Sequence, residues 1–189
     1  MSRTRTFVAV PLSDAQRHKL DRLRIELSRS LPDIKWTDSD NLHITLVFLG
    51  EVDDRELPDV CRQAQAAADA ADVGAFTLGL RGLGCFPHER RPRVLWVGVE
   101  TGATELAALH EALEAALEPL GYRREDRRFT AHVTLGRTKK DGPIARLAET
   151  LAAHRDWNAG ECPVTEMHVM ASQLSREGPY YTILGRANL

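Results

Sequence analysis

Short runs of apolar and β-branched residues alternate along this chain with longer stretches in which leucine and alanine return at helical intervals. Phe7 to Val10 reads as a strand. Ser13-Asp14-Ala15-Gln16 has the Ser-x-x-Gln form of a helix-start capping box, and Leu20, Leu23 and Leu27 carry the helix onward. After a loop from Leu31 to Asp40 comes a strand through Leu42 to Leu49, ended by Gly50. Leu57, Cys61, Ala64, Ala68 and Ala71 mark a second helix. Phe76 to Leu83 and Arg93 to Val99 read as strands joined through the Gly- and Pro-rich segment Gly84 to Pro92.

The second half repeats this grammar. Leu106, Leu109, Leu113 and Leu117 form a helix closed by Gly121, and Phe129 to Arg137 is a strand. Ile144, Leu147 and Leu151 mark a further helix, with strands over Val164 to Leu174 and Tyr180 to Arg186. Helix, strand, helix and strand pair in each half predict an α+β fold. Its two pseudo-symmetric lobes of antiparallel sheet have outer helices and surround a central cleft, all within one domain over residues 1–189.

One phrase is written twice, as Asn41-Leu42-His43-Ile44-Thr45-Leu46 and as Ala131-His132-Val133-Thr134-Leu135-Gly136. Side chains alternate faces along a strand, so each His and its Thr project the same way, about 6.6 Å apart, while Ile44 and Val133 point oppositely. Two such strands side by side would bring two imidazoles and two hydroxyls to one polar pocket suited to proton transfer. A single strand histidine beside a threonine is commonly structural; repetition at symmetric sites is what argues for chemistry.

The wider context of the two motifs resembles the two-histidine phosphoesterase superfamily. Within it, Arg5-Thr6-Phe7-Val8-Ala9-Val10, Asn41 to Gly50, Arg91 to Val99 and Phe129 to Arg137 are similar to the RNA 2',3'-cyclic phosphodiesterases, also called 2'-5' RNA ligases. The histidines lie 89 positions apart and the matching phrases span nearly the whole chain. Ala131 departs from the family pattern, which more often has Pro, and leaves His132 and Thr134 in place.

The resemblance implies hydrolysis of RNA or nucleotide 2',3'-cyclic phosphate ends to 2'-phosphates, with a weak reverse reaction joining RNA ends through a 2'-5' linkage. His43 and His132 are the expected acid and base, and Thr45 and Thr134 the expected donors to phosphoryl oxygens. Arg137 is expected to meet the phosphate or a base. Phe48 and Arg137 each lie five residues beyond a motif histidine, so duplication would place an aromatic ring and a guanidinium plane on the two sides of the terminal base. The chemistry requires no cofactor and no metal.

Composition narrows the partners. A formal charge of −2 and a pI near 6.4 argue against broad, many-phosphate gripping of long nucleic acid and leave RNA 3' ends or small cyclic nucleotides as substrates. Cys61, Cys85 and Cys162 are odd in number, far apart and in no Cys-x-x-Cys spacing, which reads as reduced, buried thiols and a cytoplasmic setting. The Phe7 to Leu12 run is too short to span a bilayer. A monomer without membrane or obligatory protein partners is expected. Trp96 reads as a core residue, His18 and His110 as solvated or half-buried helix residues, and His88 as a rim candidate. Arg123 to Arg128 reads as a solvated turn. Two other function classes stand beside the first. One is a metallohydrolase using His43 and His132, for which neither motif supplies a carboxylate at ligand spacing; the other is a non-catalytic nucleotide-binding module.

Overall fold

The computed structural model describes residues 2–124, 128–175 and 178–189. Its elements are β1 (Arg3–Pro11), α1 (Asp14–Ser28), β2 (Ile34–Trp36), β3 (His43–Asp53), α2 (Leu57–Ala71), β4 (Phe76–Phe86), β5 (Val94–Thr101) and α3 (Ala103–Leu117). Then follow β6 (His132–Thr138), α4 (Leu147–Ala153), β7 (Asn158–Val164), β8 (Glu166–Leu174) and β9 (Pro179–Asn188). The expected α+β architecture is present, and its two lobes are two halves of one curled antiparallel sheet, ordered β7-β4-β5-β6-β3-β1-β8-β9 with β2 added to β6. The halves meet where β3 pairs with β6, at Ile44 opposite Val133.

This order corrects the expected division near mid-chain. Apart from the short β2, the strands of the half containing β6 come from the contiguous stretch β4 to β7, whereas β3 is joined by β1, β8 and β9, from the two ends of the chain. Hydrophobic period marks where a strand lies but not which strand it joins, because any strand with one apolar face can extend any exposed edge.

Helices α1, α2 and α3 cover the face opposite the motif side chains. α2 and α3 pack on each other and against β9 and β3, α1 lies against β7 and β2, and α4 against β4. Leu20, Leu23 and Leu27 of α1 and Leu106, Leu109, Leu113 and Leu117 of α3 are buried with Ile44, Val97 and Val133 of the sheet. Each such leucine is worth about 1.5–3 kcal/mol of apolar transfer.

The capping box is only half formed. Ser13 Oγ accepts from Gln16 N at 3.2 Å, but the Gln16 side chain turns inward. Its Nε2 donates to the carbonyls of Leu78 and Gly160, both at 3.1 Å, and its Oε1 accepts from Cys162 Sγ at 2.9 Å. A buried amide is more stable with its hydrogen bonds met, and these tie α1 to β4 and β7. Cys162 is thus buried, as expected of all three thiols, while Cys61 and Cys85 are half-buried.

Several boundaries differ from those the pattern predicts. Ile34–Trp36 forms β2 inside the expected loop, and Asn158–Val164 forms a strand of its own. Gly50 does not end β3; it takes φ 71° opposite Thr6, where Leu49 is bulged out, and the strand continues to Asp53. Glycine reaches that left-handed conformation without a Cβ penalty, so a residue that usually stops a strand here bends one. β4 extends through Phe86 into the expected loop, β6 begins at His132 rather than Phe129, and Ile144 precedes α4 in a turn. No helix among the described residues is long and apolar enough to cross a membrane.

Candidate active site

The single β3–β6 bridge organises the motif residues. Continuing its antiparallel register past Ile44 and Val133 places Thr45 opposite His132 and His43 opposite Thr134, on the face away from the helices. The two histidines sit on one diagonal of this quartet and the two threonines on the other. Ile44 and Val133 are fully buried beneath it, and the four polar residues are partly exposed.

Both imidazoles are held alike. His43 Nδ1 lies 2.8 Å from the Asn41 carbonyl oxygen, and His132 Nδ1 lies 2.7 Å from that of Thr130. A carbonyl only accepts, so each Nδ1 carries a proton and each neutral ring presents its lone pair at Nε2. The Asn41 carbonyl is fixed by a 3-10 turn at Ser39–Asn41, whose Asp38 side chain accepts from Asp40 N; Asn41 Nδ2 donates to the Pro179 carbonyl at 2.6 Å. His43 Nε2 is 2.8 Å from Thr45 Oγ1, whereas His132 Nε2 has no hydrogen-bond partner among the described residues.

Each imidazole is boxed by two aromatic rings from its own half of the sheet. Phe7 and Tyr181 lie 4.9 and 5.4 Å from His43, and Phe86 and Trp96 lie 5.0 and 6.2 Å from His132, centroid to centroid. Trp96 is therefore a wall of the site and not the core residue expected. None of the other three rings was marked by the motifs, because they sit on β1, β4 and β9 and reach the histidines only through strand pairing.

The environment disfavours charge on both rings. Burial lowers the His43 pKa below its ordinary 6.5, the Asn41 hydrogen bond works against this, and repulsion from His132 adds to it. The His132 pKa is also lowered, first by burial, opposed by the Thr130 hydrogen bond and assisted by the Arg137 charge. Burial raises the Tyr181 pKa, with Arg137 and Arg5 opposing. Arg137 and Arg5 have no ion pair among the described residues, so they leave positive potential on the cleft face.

Strict alternation would turn Phe48 and Arg137 away from the cleft, five residues being an odd step. Paired bulges restore them. Thr45 and Val47 pair with consecutive residues of β1 and leave Leu46 unpaired; Thr134 and Gly136 pair with consecutive residues of β5 and leave Leu135 unpaired. Phe48 thereby joins the face of His43, 54% exposed and 5.9 Å from Phe7, while Arg137 comes to His132 and Tyr181.

The carbonyls freed by these bulges are satisfied differently. Thr37 N donates to the Leu135 carbonyl at 2.8 Å. The Leu46 carbonyl accepts from His110 Nδ1 at 2.9 Å, and the His110 ring stacks on Phe129 with centroids 4.3 Å apart and planes 11° apart. His110 is 7% exposed, so the solvated or half-buried expectation is corrected: it is a buried strut between the β3 bulge and the segment leading into β6. Replacing it by Phe keeps the stack but leaves a buried carbonyl unmet. His110→Phe should cost about 1–3 kcal/mol in urea unfolding and His110→Ala more; wild-type midpoints for both would remove the strut.

His18 is exposed, as is His88, and His154 is half-buried with Nδ1 2.9 Å from the Thr150 carbonyl. His168 is buried and bonded to Glu166 at 2.8 Å. Of the Arg123 to Arg128 run, Glu125, Asp126 and Arg127 lie outside the described residues, and Arg124 pairs with Glu118 at 3.2 Å. No three His, Cys, Asp or Glu side chains converge as a ligand group among the described residues.

Known proteins match this chain over nearly its whole length. Residues 10–176 match the family model of the 2'-5' RNA ligase superfamily. An RNA 2',3'-cyclic phosphodiesterase of Archaeoglobus fulgidus is 34% identical over 177 residues, which are 94% of this chain and 96% of the relative. The crystal structure of a Thermus thermophilus protein superposes with a TM-score of 0.78 at 32% identity, covering 98% of this chain and 97% of that one. E. coli LigT complexed with 3'-AMP gives 0.78 at 26% identity, covering 100% and 99%. With both motif strands inside the matched span, this chain belongs to the 2'-5' RNA ligase superfamily.

Proposed function

We propose that this chain hydrolyses 2',3'-cyclic phosphate ends of RNA or nucleotides to 2'-phosphates, without a metal, using His43 and His132 as acid and base. The observation that carries this is the pair of imidazoles pinned through Nδ1 on one cleft face, which leaves Nε2, open on His132 and against Thr45 Oγ1 on His43, as the nitrogen for proton transfer. The names of the full-length relatives, and the 3'-AMP in E. coli LigT, support the same substrate class.

In the reaction, water attacks phosphorus as His132 takes its proton. The bond from phosphorus to O3' breaks, and His43 delivers a proton to the leaving oxygen. His132 is assigned the base because its Nε2 is open, and His43 the acid because Thr45 Oγ1 sits at the nitrogen that must hold the transferable proton. The Thr134 hydroxyl and Arg137 meet the phosphoryl oxygens, as does Thr45 once a phosphate draws it from His43; such donors stabilise most where charge develops. A 5'-hydroxyl in place of water would give a 2'-5' linkage, the ligation reaction.

Incubation with a 2',3'-cyclic mononucleotide in EDTA tests the reading, the expected product being the 2'-phosphate. The pH profile is a sharper check. The base must be neutral and the acid charged, and both pKa values are lowered from 6.5 in the free protein. The bell of kcat/KM should therefore be centred on the acid side of about 6.5, with an unchanged profile in EDTA. A profile that only rises with pH and collapses on chelation would favour metal-bound hydroxide and overturn the proposal.

A further inference from the structure

A second concavity lies beside the histidines, on the far side of the Trp96 wall. It has a volume of about 880 Å³ and is bounded by the end of β4, the loop after it, and α4. Its floor is apolar, from Leu83, Leu151 and Ala148, and its rim carries Arg90 and Arg155. Neither arginine has an ion pair among the described residues, although Glu89 also lines the cavity.

The wall between cavity and histidine is specifically built. Trp96 lies over Gly84, where any Cβ would overlap the indole ring, so the strand gives up a side chain to let the ring lie flat. One side of this ring meets His132, at 6.2 Å, and the ring also lines the cavity. The Trp96 Nε1 donor is buried with no hydrogen-bond partner among the described residues, in contrast to most buried indole N–H groups.

We propose, building on the cyclic phosphodiesterase reading, that this cavity is a subsite for the nucleotide preceding the terminal one, making the preferred substrate an oligonucleotide end. A planar base fits the apolar floor and the indole wall. The phosphodiester joining the two nucleotides runs toward Arg90 and Arg155, whose charges have no carboxylate partner to give up. Sharing Trp96 with His132 puts the cavity one residue's width from the reacting phosphate, within reach of the next nucleotide of the same strand.

The test compares a 2',3'-cyclic mononucleotide with the dinucleotide that carries it at its 3' end. Wild-type kcat/KM should favour the dinucleotide by about tenfold. In Arg90→Ala/Arg155→Ala, and in Ala152→Trp, which fills the cavity from the exposed face of α4, that preference should fall below about twofold while mononucleotide turnover is unchanged. No preference in the wild type, or equal losses on both substrates, would overturn the subsite. Loss of mononucleotide turnover in the wild type would instead sink the histidine mechanism. In that event, calorimetric titration with the 2'-phosphate mononucleotide and dinucleotide still reads the cavity, equal affinities overturning it.

Discussion

Replacing either His43 or His132 by Ala is expected to reduce turnover of a 2',3'-cyclic mononucleotide by about 10²–10⁴-fold, with the double variant scarcely worse than either single one. In the proposed mechanism the two rings serve one transition state, in which one accepts a proton as the other gives one up, so removing either leaves the other without a complementary role. Fold is separable from chemistry here. Each histidine makes one main-chain hydrogen bond and lies on the open face of the sheet, above fully buried Ile44 and Val133. Circular dichroism and urea midpoints near those of the wild type should therefore accompany the loss. Two single effects that multiply in the double variant, or a single variant that keeps most of its activity, would show that the histidines do not form a unit.

Arg137→Ala should produce the next largest effect. Removing the guanidinium takes away a positive charge beside His132 that has no ion pair among the described residues, and raises the pKa of that imidazole, since the charge is one cause of its depression. With His132 as base, the acid limb of kcat/KM must then move to higher pH. The same variant and Phe48→Ala distinguish the two roles open to this end of the cleft. If Phe48 and Arg137 flank the terminal base, each substitution should weaken nucleotide turnover by about 5- to 150-fold, the equivalent of about 1–3 kcal/mol of stacking, and spare a small cyclic phosphate that has no base. Equal losses on both substrates with Arg137→Ala would make it a phosphate clamp and dissolve the sandwich. Phe48 is a clean test because it is 54% exposed, with Phe7 as its aromatic neighbour, so its removal should cost little stability.

The histidine and threonine pairs were legible from the chain because the motif has the period of a strand, and a strand's alternation alone determines that residues two apart share a face. The helices through Leu20 to Leu27 and Leu106 to Leu117 were legible for the same reason at the helical period, and these leucines are the buried ones. Local rules also suffice for the α+β class, since nothing but the order of such segments enters it. They stop at whatever depends on partners. The return of Phe48 and Arg137 to the cleft needs the Leu46 and Leu135 bulges, which exist only as mismatches between β3 and β1 and between β6 and β5.

The aromatic boxes around His43 and His132, the His110 strut and the Trp96 wall were decided only by the tertiary structure. Phe7, Phe86 and Tyr181 occupy ordinary strand positions, and Trp96 looks like core until β5 is laid beside β4 and β6. Gln16 looks like a cap until β4 and β7 offer it two carbonyls. The chain alone singles out two histidines and two threonines that share a face, since that depends on side-chain chemistry and strand period. Pairing of segments distant in the chain determined their neighbours, their lowered pKa values and the cavity beside them, because burial and contact belong to the assembled sheet and to no single strand.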